Sequence, residues 1–143
     1  MKLLVILLVL LLLVGSYFFY QGRKSAQLAG PAISSGTLPL CGVRPNCVCS
    51  LQSVSDSHYI EPFQGAGVTM DSVRAAIEQL GGVIVSGDDD QLHATFQSSV
   101  FGFIDDVLLL IDDDNLQVRS SSRVGHSDLG ANRKRLERLR EML

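Results

Sequence analysis

Residues Ile104–Arg123, IDDVLLLIDDDNLQVRSSSR, carry the pattern of a β-hairpin around which the rest of the chain can be arranged. Two runs, Ile104 to Ile111 and Leu116 to Arg123, flank Asp112-Asp113-Asp114-Asn115, a connection of common hairpin length. If Ile111 pairs with Leu116, then Leu109 opposes Val118 and Val107 opposes Ser120, and the pleat gathers an apolar face. On the other face Asp106 falls opposite Ser121 and diagonal to Arg119 and Arg123, within reach of carboxylate–guanidinium contact. Leu108 and Leu110 share that second face. It therefore calls for a cover: the irregular segment Cys41 to Gly67, a ligand, or lipid.

Upstream, Val83 to Ser86 and Gln91 to Gln97 read as another strand pair, joined through Gly87 and Asp88-Asp89-Asp90, with Leu92, Ala94 and Phe96 alternating against His93, Thr95 and Gln97. Before it, Met70, Val73, Ala76, Ile77 and Leu80 recur at helical steps, with Thr69 as cap and Gly81-Gly82 as stop. After it, Leu129, Asn132, Leu136, Leu139 and Leu143 form one stripe of a closing helix over Leu129–Leu143. The order helix, four strands, helix predicts an α+β domain: a four-stranded antiparallel meander with two helices on one face.

The first residues set this domain beside a membrane. From Leu3 to Tyr20 the chain is apolar except for Gly15 and Ser16, long enough for a transmembrane helix, and Tyr17 and Tyr20 suit the interface. Residues 1–22 are read as a retained single-pass anchor, the alternative being a cleaved signal peptide. Residues 23–40, rich in Gly, Ser, Ala and Pro, read as a flexible linker, and residues 41–143 as the folded domain, expected outside the cytoplasm, in the periplasm. Cys41 and Cys47 are expected to form a disulfide around Pro45, with small buried thiols as the alternative reading and Cys49 the odd cysteine.

With a formal net charge of −3, a pI near 5.5 and no tryptophan, the chain has neither the field nor the stacking platform of a nucleic-acid binder. Neither a metal nor a cofactor is expected. The two aspartate turns should lie at one end of the sheet, but they lack the spacing of a calcium loop. Asn132 on an apolar stripe needs hydrogen-bond partners. Ser127 or Asp128 can cap its helix, whose start can also hold an anion beside Arg133. The candidate ligand-binding set is therefore Asp106, Arg119, Arg123, Ser127, Asp128, Asn132 and Arg133. The partners expected are the membrane, through residues 3–20, and an anionic lipid headgroup or small anion. The basic closing helix, with Arg133, Lys134, Arg135, Arg138 and Arg140, also fits anionic headgroups, or is a solvated face balanced by Glu137 and Glu141.

The stretches CGVRPNCVCS, HYIEPF, LHATFQSSVFGFIDDV and VRSSSRVGHSDLGANRKRLERL together resemble the domain of unknown function family 1499. Cys41, Pro45, Asn46 and Cys47 correspond to the run that opens that domain. Arg119, Ser120, Ser122, Arg123, Gly125, Ser127, Asp128, Gly130, Asn132 and Arg133 correspond to its terminal motif. Cys49, where the family pattern has serine, and His126, where it has an aromatic, depart from it. The resemblance implies a membrane-associated or exported bacterial-type protein and leaves its biochemistry open. Three functions remain: a non-catalytic binding module for an anionic ligand, an envelope scaffold with a purely structural polar network, and a cysteine- or serine-dependent enzyme. For the enzyme, Cys47 or Cys49 would pair with His58, or Ser127 with His93. No G-x-S-x-G motif is present.

Overall fold

The structure, a computed structural model, describes residues 1–64, 68–113 and 115–143. Gly67 and the turn residue Asp114 lie outside them. An N-terminal helix α1 (Lys2–Gln27) is followed by short strands β1 (Cys47–Cys49) and β2 (Phe63–Gln64) and by helix α2 (Met70–Gln79). Four longer strands come next, β3 (Val83–Gly87), β4 (Gln91–Gln97), β5 (Ile104–Asp112) and β6 (Asn115–Ser122), and helix α3 (Ala131–Arg140) closes the chain.

Strands β3 to β6 form the expected antiparallel meander, and the expected register holds: Ile111 pairs with Leu116, Leu109 with Val118, Val107 with Ser120 and Asp106 with Ser121. The sheet has six strands rather than four. β1 and β2, three and two residues long, both pair antiparallel with the outer edge of β6. Segments this short carry no readable alternation, yet they satisfy backbone groups that would leave β6 as an open edge.

One face of the sheet is covered by both helices. Val73 and Ile77 of α2 and Leu136 and Leu139 of α3 are fully buried against Leu92, Ala94, Val107, Leu109 and Val118. Each such aliphatic side chain contributes about 1.5–3 kcal/mol by leaving water. Thr69 caps α2 as expected: its hydroxyl accepts from Ser72 N at 3.3 Å while Ser72 Oγ accepts from Thr69 N at 3.2 Å. Gly81, at φ 85°, turns the chain out of the helix. The closing helix starts later than the stripe suggests. Leu129 is 88% exposed at φ 54° and Gly130 sits at φ 78°, so Leu129 lies in the turn before α3 and outside the core.

The opposite face carries the larger correction. Residues 23–40, expected as a flexible linker, continue α1 to Gln27 and then run across the outer face of the sheet. Leu38 is buried with Cys49, Leu108 and Leu110, and Ile33 and Cys41 pack beside them. Ser34 and Thr37 exchange two backbone hydrogen bonds around Ser35 and Gly36, both at positive φ, a tight reverse turn. This strap, together with Cys41 and Cys49 from the segment that follows it, covers Leu108 and Leu110. Helix α1 is apolar and long enough to cross a membrane.

Candidate functional site

Because the register places Asp106 on the outer face, its carboxylate is available to groups on both neighbouring strands, and two of them take it. Arg123, which follows β6, grips it with a two-pronged contact, Nε to Oδ2 and Nη2 to Oδ1, each 2.8 Å. His93 on β4 adds its Nε2 to Oδ1 at 2.8 Å. The third guanidinium nitrogen of Arg123 donates to the Leu28 carbonyl at 2.7 Å, which ties the strap to the pair. Two residues on, Gly30 lies so close that an added Cβ would sit 2.3 Å from Asp106 Oδ1, so glycine is needed there. Asp106 is fully buried. Burial pushes its carboxyl up, but the hydrogen bonds from Arg123 and His93 outweigh that and hold it below the usual carboxylate range. The same contact raises Arg123.

A second cluster forms around Asn132, which is 1% exposed on the first turn of α3. Its Oδ1 accepts from the Ser120 hydroxyl and from Arg135 Nη1, and its Nδ2 donates to the Asn46 carbonyl and to Ser122 Oγ, both 3.1 Å. Arg135 continues to Asp105 at 2.7 Å. Every polar atom of the amide is thus engaged, and the network fastens β1, β6 and α3 to one another. Asp128 supplies the cap: its Oδ2 accepts from Asn132 N at 2.8 Å and its Oδ1 from Gly130 N at 3.0 Å. Ser127 Oγ accepts from Leu129 N in the preceding turn. A carboxylate therefore already occupies the start of α3. Arg133 donates to the carbonyls of Ser57 and Tyr59.

Arg119 is different. It stands on β6 between Cys49 of β1 and Leu108 of β5, 8% exposed. Among the described residues it makes no ion pair; its Nη1 donates to Ser121 Oγ at 2.6 Å, and its buried Nε has no partner. Burial lowers its pKa, a tendency that Cys49 and the already committed Asp106 oppose. Arg119, Ser121 and Ser122 line a cavity of about 320 Å³ together with Gly42, Val43 and Arg44. Those last three belong to the loop closed by the Cys41–Cys47 disulfide, whose Cα atoms are 5.7 Å apart.

The sequence-derived set thus divides. Asp106 and Arg123 form one saturated pair, Asn132 and Asp128 belong to another saturated network, and Ser127 and Arg133 serve turns and carbonyls. Arg119 alone among them couples near-complete burial to an unused donor. Asn46, Asp105, Gly30 and Arg135 escaped the sequence reading as site residues, although Asn46 sits in the cysteine–proline–asparagine run. The nucleophile candidates are also located. Cys47 is in the disulfide, and Cys49 is a free thiol, fully buried, with burial raising its pKa. His58 contacts Asp56 at 2.7 Å and the Arg44 carbonyl at 3.0 Å. Among the described residues no group of His, Cys, Asp or Glu is placed to hold a metal ion. At the first aspartate turn, Asp88 accepts from Asp90 N and from Gln91.

The model of the family described as protein of unknown function (DUF1499) matches residues 37–143. No curated protein matches the chain.

Proposed function

This chain belongs to the family of proteins of unknown function DUF1499, and we propose that it is a membrane-anchored, non-catalytic binding module for an anionic ligand, phosphate or headgroup in character, received at Arg119. The observation that carries the reading is a guanidinium 8% exposed that has, among the described residues, no carboxylate partner and an unused Nε. A buried charge without a partner is costly, and such groups persist where something else completes them. Ser121, Ser122 and the neighbouring Arg44 give the cavity further donors and a second positive charge. The disulfide fits an oxidising compartment such as the periplasm. Helix α1 fits a single-pass anchor.

Sheet geometry favours a headgroup as the source of the anion. Ser122 pairs with Asp105, next to Ile104, whose N–H and carbonyl both bond to Ser25 of α1. The cavity is thus built at the end of the sheet to which the apolar helix is fixed. The saturated clusters around Asp106 and Asn132 favour the scaffold reading for those residues, whose work is to hold the strap, β6 and α3 in place.

The test compares the full chain in neutral detergent micelles with its Arg119→Met variant. Inorganic phosphate is titrated in one arm and micelles doped with phosphatidylglycerol in the other. The expected result is saturable binding that Arg119→Met weakens at least about tenfold, as loss of a charge-assisted contact implies. The variant should melt at or above the native temperature, because it removes an uncompensated buried charge. Binding in the lipid arm alone assigns the headgroup, and binding in both assigns the free anion. Unchanged binding with a lowered melting temperature would make Arg119 structural and overturn the proposal.

A further inference from the structure

The connection between β4 and β5, residues 98–103, is held against the last turns of α1 by contacts that leave little slack. A Cβ on Gly22 would fall 1.7 Å from the Phe101 carbonyl oxygen, so helix and loop backbones touch where only glycine fits. Ser25, fully buried, accepts from Ile104 N at 2.9 Å and faces its carbonyl. Above these contacts the rings of Phe101 and Phe103 lie 5.3 and 6.4 Å from the ring of Phe18. Phe18 belongs to the apolar run Leu3–Tyr20, whose eighteen residues rise about 27 Å, close to the thickness of a hydrocarbon core. If that run fills the core, Phe18 sits within about 3–5 Å of its edge.

Rings packed against Phe18, one tilted and one edge-on, share its depth, and Val100 of the same loop is 75% exposed. From this geometry we infer that the β4–β5 loop is a second membrane-contacting element: Phe101 and Phe103 sit at the interface of the leaflet that α1 leaves, and Val100, which shares a cavity with Phe19, Gly22 and Arg23, lies beside them at that interface. The occupant of this apolar patch is lipid, because the patch continues the lipid-facing surface of α1. Aromatic rings at this level are favourable in an interface. The domain is then seated on the bilayer by two points rather than hanging from a tether. The inference rests on α1 spanning the membrane and is independent of what Arg119 binds.

The chain contains no tryptophan, so a single one can report its surroundings. Val100→Trp and, as control, Val54→Trp, a residue 76% exposed in the segment between β1 and β2, are placed in the full chain and reconstituted into phosphatidylcholine vesicles with or without brominated acyl chains. The expected result is that both variants float with the vesicles, that Trp emission from the first is blue-shifted and loses most of its intensity to the brominated lipid, and that emission from the second is unaffected. Equal, unquenched emission from both floating variants would overturn the loop contact. Failure to float would overturn it together with the anchor, and neither outcome touches the anion titration.

Discussion

Replacing Arg123 by alanine strands the Asp106 carboxylate, and the size of the effect can be worked from its contacts. Three donors reach the carboxylate, and the change removes two of them, leaving His93. Hydrogen bonds to a charged group contribute about 1.5–3 kcal/mol each. Breaking a buried pair from one side costs about 3–5 kcal/mol. The two routes agree on about 3–5 kcal/mol. Loss of the Leu28 carbonyl contact loosens the strap as well. In a domain of this size that is a fall of about 12–30 °C in melting temperature. The assay is thermal and urea unfolding of the full chain in mild detergent, followed by near-ultraviolet circular dichroism, which reports tertiary packing. Because the cost is mostly that of an abandoned charge, Asp106→Ala combined with Arg123→Ala should be less destabilised than the sum of the single changes, by about 1–3 kcal/mol. A single variant within about 1 kcal/mol of the native protein, or strictly additive changes, would show that Asp106 does not depend on Arg123.

Gly30→Ala should cost about 1–3 kcal/mol, because its methyl would press on a carboxylate that cannot move. Gly42→Ala, with nothing within 4 Å, should melt like the native chain, and equal behaviour of the two would deny the close approach. Acid should unfold the protein partly through Asp106. Its carboxyl lies lower in the folded than in the unfolded state despite burial, owing to Arg123 and His93, so its contribution is whole above the unfolded value of about 3.9 and is lost as pH falls through the lower folded one. Asp106→Asn should therefore be less stable at neutral pH and lose less stability below about pH 4, seen as a flatter run of urea midpoints against pH.

The register of β5 and β6 was legible because one buried face admits one alignment; a slip by one residue would turn Val107, Leu109 and Val118 to the wrong side. That alignment alone brought Asp106 beside Arg119 and Arg123. Which arginine takes the carboxylate was not legible, since the two are equivalent diagonal neighbours until the strap at Leu28 and Gly30 closes over one of them. The strap itself has the glycine, serine and proline content of a spacer, and its burial depends on Leu38 and Ile33 meeting Leu108 and Leu110 from far away in sequence. Asn132 announced its network by sitting on an apolar stripe. Leu129 misled the same stripe, because a left-handed Leu129–Gly130 pair precedes α3 and periodicity carries no sign of it. β1 and β2 exist through their pairing with β6, not through their own pattern.

If Arg119 is held ready for an anion, its Nε–H reports it directly. With nitrogen-15 arginine in the full chain in micelles, adding phosphate or phosphatidylglycerol should move the Arg119 Nε–H resonance saturably, while that of Arg123, already bonded to Asp106, stays in place. An Arg119 signal that stays fixed as either anion is raised, or one that moves only in step with exposed Arg44, would contradict the account.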